Sequence, residues 1–238
     1  MSQKQPKYRR VLLKLSGEAL AKGGDGIINR AFVKEISDVL KRCLADGVQI
    51  GIIVGAGNIW RGRQGVNMDA VRADSMGMLA TAINAIALED AFIHEGIDAH
   101  AMTAVEMSRF AEPFIREKAV SYLEQGSVVI FGCGLGIPFL STDTAAVVRA
   151  AEIGADIVLM AKNIDAIYTA DPLRDPTAVR LESISCCEIL EKKLSALDST
   201  ATAFCMDHNI PVLAFGLSDP ENIYHAIMGE KIGTVITP

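Results

Sequence analysis

Apolar runs of strand length alternate with segments of helical period along nearly the whole chain. Residues 9–16 (RRVLLKLS), 48–55 (VQIGIIVG), 98–104 (DAHAMTA), 127–132 (SVVIFG), 155–161 (ADIVLMA), 210–215 (IPVLAF) and 233–237 (GTVIT) predict strands. Several are apolar on both faces, the pattern of a sheet covered on both sides. Residues 30–46 predict a helix capped by Asn29 and stopped at Gly47. Further helices are expected over 69–95, 118–125 and 142–153, each followed by a glycine. This alternation predicts an α/β fold, a three-layer αβα sandwich whose mostly parallel central sheet is joined by right-handed crossovers. No repeat or long polar linker divides the 238 residues, so one domain over 1–238 is expected, with two lobes around a cleft.

One stretch breaks the usual amphipathic rule. SMGMLATAINAIAL (75–88) carries no charge in 14 residues and is small or apolar on nearly every face. A surface helix should show a polar stripe, so this one is expected to be buried on more than one side.

Charge and cysteine usage narrow the function classes. Twenty-three basic against 29 acidic side chains leave a net charge of −6, which argues against a nucleic-acid or anionic-membrane partner. The longest uncharged run, 126–142, is short for a membrane span and is broken by Gly132, Gly134, Gly136 and Pro138. The start has too few consecutive apolar residues for a secretion signal. Five cysteines without C-x-x-C spacing fit reduced thiols, and a soluble cytoplasmic protein is expected.

In open parallel sheets ligands bind beyond the carboxyl ends of strands, especially where small-residue turns follow. Three strands here end so. Lys14-Leu15-Ser16-Gly17 closes the first, and its lysine is either a solvated strand cap or a phosphate ligand. Gly55-Ala56-Gly57-Asn58 closes the second, with Arg61 four residues beyond Gly57. Trp60 stands where a dinucleotide fingerprint would have its third glycine, and no G-x-x-x-x-G-K-[ST] occurs anywhere. The third turn carries glycines at 132, 134 and 136, then Ile137-Pro138-Phe139-Leu140-Ser141-Thr142-Asp143, whose end can cap a helix. A fourth segment, 161–172, offers Lys162, Asn163, Tyr168 and Asp171. The four histidines pair with no cysteine or aspartate at ligand spacing.

Taken in order, KLSGE (14–18), the G-x-G-N-x-x-R-G turn (55–62), MDAVRADSMGMLAT (68–81), FLSTDT (139–144), AKNIDAIYTADP (161–172), LDSTATAFCMD (197–207) and GEKIGT (229–234) resemble the bacterial uridylate (UMP) kinases of the amino-acid-kinase superfamily. The resemblance runs from about residue 8 to 237. It implies an amino-acid-kinase-like fold with an N-terminal lobe for UMP and a C-terminal lobe for ATP, and transfer of the γ-phosphoryl of ATP, with Mg²⁺, to UMP. On that footing the catalytic residues are Lys14, Arg61 and Asp143. ATP would meet Lys14, Leu15, Ser16, Gly17, Gly57, Arg61, Asn163, Tyr168 and Asp171. UMP would meet Ala56, Asp74 at the ribose, and Leu135, Gly136, Ile137, Pro138, Phe139, Leu140, Ser141 and Thr142 around base and phosphate. Asp143 would orient Lys14 or hold the metal, with Asp198 a second candidate for the metal. A homohexamer built from dimers, GTP activation and UTP inhibition are also implied, and the 75–88 helix, through Ala82 and Ala85, would help form the dimer interface.

Two positions depart from the resemblance. The second turn reads GAGN where the family often has GGGN, and the third reads GLGIP where many members have GTGNP. With Leu135 and Ile137 there, uracil would have to be read by backbone groups of the 132–138 loop. Competing readings are a superfamily relative that phosphorylates acetylglutamate or aspartate, and a nucleotide-binding protein without turnover.

Overall fold

The computed structural model describes residues 5–24, 26–60, 67–170, 172, 174–194 and 196–238. Each predicted strand forms: β1 (Arg10–Leu15), β2 (Gln49–Val54), β3 (Ala99–Thr103), β5 (Val128–Gly132), β6 (Ile157–Lys162), β8 (Val212–Gly216) and β9 (Thr234–Thr237). Two short strands join them, β4 (Glu112–Pro113) and β7 (Ser183–Ser185), too brief to show a period of two. The nine lie in one sheet, ordered β4-β3-β5-β2-β1-β6-β8-β9-β7, parallel throughout except between β8 and β9.

Three of the expected helices are α2 (Arg30–Ala45), α3 (Ala70–His94) and α5 (Thr142–Ile153), and the fourth, α4, runs Arg116–Glu124. The others are α1 (Gly17–Ala21), α6 (Cys186–Glu191), α7 (Ser199–His208) and α8 (Glu221–Ile227). Helices α2, α3 and α8 pack on one face of the sheet, and α4, α5, α6 and α7 on the other. Alternation in β1 feeds both cores: Val11, Leu13 and Leu15 enter the first, Leu12 the second. Every residue of β2, β5 and β8 is buried, as a doubly covered sheet requires. Helix α5 ends where predicted, on left-handed Gly154 (φ 66°).

Strand order sets the site. The adjacent strands β5, β2, β1 and β6 run in the same direction, so the glycine turns after them, and the 163–170 segment, gather along one edge of the sheet. All five cysteines are free thiols.

Helix α3 differs from its expectation. Ala82 and Ala85, which were to help form an interface, are 4% and 0% exposed and pack inward; a Cβ on Gly132 of β5 would meet both. The outward side of the helix carries Met76, Leu79 and Ile83, all exposed. The charge-free pattern arises because both the core face and the outward face are apolar.

Candidate active site

The first two turns are built into one another. Ser16 caps α1 by accepting a hydrogen bond from the Ala19 amide, and the Gly55 amide donates to the Leu15 carbonyl at 2.9 Å. A Cβ on Gly17 would lie 2.2 Å from Asn58 Oδ1 and 2.7 Å from the Gly55 carbonyl, so only glycine lets the turns touch. The glycine here serves turn-to-turn packing. Asn84 of α3, fully buried, locks the second turn: its Nδ2 donates to the Gly55 carbonyl at 2.8 Å and to Asn58 Oδ1 at 2.8 Å. Buried amides are kept only where they are paired, so a lone asparagine inside an apolar helix is the signal that would have found it.

Three charges meet at the centre. Lys14, flanked in the sheet by Ile53 of β2 and Met160 of β6, reaches Asp143 Oδ1 at 3.2 Å. Their side chains are 14% and 20% exposed, so the pair is neither dry nor freely solvated. Asp143 sits in the first turn of α5, whose N-cap Ser141 accepts from the Asp143 and Thr144 amides. Lys162, at the end of β6, interacts electrostatically with both Lys14 and Asp143, and its Nζ donates to the Ala196 carbonyl. Burial pushes the Lys162 ammonium below the ordinary lysine value; Asp143 opposes that shift and Lys14 adds to it. From sequence Lys162 is only one of the polar residues offered by the 161–172 segment, with no role assigned.

Two cavities flank this centre. One, of 320 Å³, is lined by Ala56, Gly57 and Asp74, by Ile137 and Leu140, and by Ser141 and Thr142. Trp60, Met78 and Thr81, unassigned from sequence, also line it. The Trp60 ring is fixed by its Nε1, which donates to the Ala73 carbonyl at 2.9 Å. The other cavity, of 430 Å³, has Lys162, Ile164, Tyr168, Pro172 and Leu194 in its walls. Asp143 follows Thr142 of the first cavity and interacts with Lys162 of the second, so the charged centre adjoins both.

The loop after β5 is contorted. Cys133 (φ 61°) and Phe139 (φ 68°) hold left-handed conformations that side chains rarely adopt, alongside Gly134 and Gly136. Hydrogen bonds hold the two strained residues: the Cys133 amide donates to Thr81 Oγ1 at 2.8 Å, and the Phe139 amide to Asp74 Oδ2 at 2.7 Å. Backbone strain held by specific bonds is typical of ligand loops. Not every residue expected at UMP reaches the cavity. Leu135 packs half-buried against the core between the sheet and α5, while Gly136, Pro138 and Phe139 lie outside the lining. Nor do all the residues expected at ATP present side chains to the second cavity: Leu15 is fully buried in the core, and Asn163 is exposed beside that cavity but not in its wall. Arg61 and Asp171 lie outside the described residues.

Asp198 is occupied as a structural acceptor. Its carboxylate takes the hydroxyls of Ser141 and Thr144 and the Ala201 amide, joining the start of α7 to the start of α5. With these bonds in place it is poorly suited to a metal, and among the described residues no group of three His, Cys, Asp or Glu could hold one. Asp143 is the carboxylate that suits a Mg²⁺ held mostly by phosphates, since such sites need only one or two protein carboxylates. Burial raises the Asp198 pKa, but the bonds from Ser141, Ala201 and Thr144 outweigh it and hold the carboxyl below its ordinary value. A lowered carboxyl pKa stabilises the fold above the unfolded value and loses that contribution as pH falls through the folded one. Below about pH 4 the wild type should therefore lose Tm more steeply than Asp198→Asn, in calorimetry across pH 2–6. Parallel curves would remove Asp198 from the acid response.

Residues 9–215 match the amino acid kinase family. Among solved structures, the UMP kinase from Bacillus anthracis is 33% identical with a TM-score of 0.92, the match covering 97% of this chain and 96% of that one. The UMP kinase from Ureaplasma parvum is 32% identical over 97% of this chain and 99% of that one, with a TM-score of 0.90. The uridylate kinase from Archaeoglobus fulgidus is 26% identical over 95% and 99%, with a TM-score of 0.74. The chain belongs to the amino acid kinase family.

Proposed function

We propose that this protein is an ATP-dependent UMP kinase that transfers the γ-phosphoryl of ATP to the phosphate of UMP, giving UDP and ADP for pyrimidine nucleotide synthesis. The observation that carries the reading is the Lys14–Asp143–Lys162 centre, set between two cavities of nucleotide-compatible size. Similarity to the UMP kinases over nearly the whole chain supports the choice of acceptor. UMP takes the 320 Å³ cavity in the half built on β2, β5 and α3, with Asp74 at the ribose; ATP takes the 430 Å³ cavity, with Tyr168 at the adenosine.

Phosphoryl transfer needs alignment and charge neutralisation more than covalent chemistry. The acceptor is already an anion, so no general base is required, and no histidine lines either cavity. Lys14 and Lys162 present ammonium groups to the equatorial oxygens of the migrating group, and Asp143 keeps Lys14 aimed. Mg²⁺ accompanying ATP would supply further neutralisation of the triphosphate, and Asp143 is the protein carboxylate that would hold it. The deciding experiment follows ADP and UDP release with UMP, acetylglutamate and aspartate as acceptors, with and without GTP and UTP. UDP formed from UMP alone supports the reading; turnover only with an amino acid, or ATP binding without product, sinks it. The same assay tests GTP activation and UTP inhibition, both expected in a cytoplasmic kinase of this kind.

Asp74→Asn should raise KM for UMP by about 10-fold to 100-fold, the worth of a hydrogen bond to a charged group, and leave KM for ATP near wild type. Unchanged UMP affinity would displace Asp74 from the ribose. The assembly is a homohexamer built from dimers, and the outward face of α3 is its dimer contact, because Met76, Leu79 and Ile83 lie exposed there. Leu79→Glu should break up the hexamer in light scattering, and an intact hexamer would contradict that interface.

A further inference from the structure

Arg149 is a charge inside the protein that no step of the chemistry uses. It lies in the middle of α5, and its side chain is 5% exposed. Its Nη1 pairs with Glu152, its guanidinium carbon stands 3.8 Å from the centre of the Phe114 ring, and its Nη2 donates to the Gly134 carbonyl at 3.2 Å. Its Nε is buried without a partner. Leaving a buried donor unpaired is unfavourable, and a hydrocarbon in its place would avoid that, so the guanidinium calls for a local reason.

Its contacts supply one. Phe114 packs edge-on against Phe131 of β5, with ring centres 5.6 Å apart. Arg149 is thereby held between Phe114, which rests on the strand that carries the loop, and the loop itself. Gly134 is left-handed and lines the 320 Å³ cavity, whereas Arg149 does not line it. Most of the loop's restraints come from α3, through Thr81 and Asp74; Arg149 holds it from the opposite face of the sheet. A planar fork suits that task, since it bonds a carbonyl and a carboxylate while stacking on an aromatic face, which a lysine cannot do at once.

We infer that Arg149 is a positioning residue for the acceptor nucleotide, fixing the 133–137 backbone through the Gly134 carbonyl so that this loop meets UMP in one conformation. The inference rests on the reading that the first cavity takes UMP. If the backbone of this loop reads the base, loosening it raises KM for UMP and blurs the distinction between UMP and CMP, with the phosphoryl-transfer centre untouched.

The test compares Arg149→Met, Arg149→Lys and Glu152→Gln in the full-length protein. Arg149→Met should raise KM for UMP by about tenfold, the effect of one lost hydrogen bond, with kcat and KM for ATP within about twofold of wild type. The preference for UMP over CMP should fall by a similar factor. Arg149→Lys keeps the charge but not the fork, and should recover only part of the loss; it also decides the matter if the methionine variant does not fold. Glu152→Gln, which leaves the Gly134 contact in place, should remain near wild type in UMP affinity. Hydrogen exchange on nucleotide-free protein provides a readout independent of substrate. Amides of 133–137 should exchange about tenfold faster in Arg149→Lys, with α2 and α3 unchanged. A folded Arg149→Lys with wild-type UMP affinity and unchanged loop exchange would overturn the inference. Equal losses for UMP and ATP alongside a general fall in Tm would also overturn it, leaving a merely structural arginine. If wild-type protein makes no UDP, the assignment of the cavity to UMP fails, and the exchange experiment still decides whether Arg149 braces the loop.

Discussion

Replacing Lys14 with alanine is expected to lower kcat by roughly 10²–10³-fold, with much smaller changes in KM for either nucleotide. The expectation follows from where the ammonium stands. Lys14 projects from the central strand beside the point where the two cavities approach each other, and Asp143, 3.2 Å away, holds it there. In the ground state water already solvates the negative charge on the γ-phosphate. As the bond to ADP lengthens, charge redistributes over oxygens that a fixed ammonium can follow and mobile water cannot, so the loss falls on kcat. Alanine would also leave Asp143 without its cation, but that carboxylate is one-fifth exposed and can be hydrated, so the fold should survive. Coupled UDP assays with a parallel melting curve check the prediction. A folded variant within about threefold of wild-type kcat would exclude Lys14 from the transition state.

The alternation of apolar runs and helical segments was enough to place every strand of five or more residues, because a doubly covered parallel sheet demands residues apolar on both faces. What escaped was set by tertiary context. Strands β4 and β7, two and three residues long, exist only because a neighbouring strand supplies their hydrogen bonds. Helix α3 was legible as a charge-free helix, but composition does not say which face meets the sheet. Ala82 and Ala85 proved to face inward because small side chains allow close approach to β5 at Gly132, while the bulkier Leu79 and Ile83 face outward.

The site was legible where a motif brings chemistry and backbone together. The turns after β1 and β2, Asp74, and the Ser141-Thr142-Asp143 corner do converge along one edge of the sheet. Distant pairings were less visible. Asn84, Thr81 and Arg149 act on turns 29, 52 and 15 residues away, and no local spacing announces such partners. Leu135 shows the converse: its position in a motif suggested a base contact, yet a leucine beside an open core face packs into it. Asp198 likewise had the right charge for a metal but meets three donors first.

Lys162→Met should lower kcat by roughly 10²–10³-fold as well, and its role carries a second signature in the pH profile. Lys162 lies at the wall of the cavity assigned to ATP, anchored by donation to the Ala196 carbonyl. Burial has moved its pKa below the ordinary lysine value, and the nearby Lys14 adds to that displacement against the pull of Asp143. Only the protonated form can neutralise phosphate oxygens, so activity should fall as pH rises through this lowered value, earlier than the usual lysine range near about 10.4. The decline should be seen in kcat/KM for ATP, which reports the free enzyme. In kcat it should move to higher pH, because the bound triphosphate favours the ammonium. Lys162→Arg, whose guanidinium stays charged at any accessible pH, should lack the alkaline decline even where its different shape lowers the rate. Two results would contradict this role: a Lys162→Met enzyme with near wild-type kcat, or an alkaline limb that persists unchanged in Lys162→Arg.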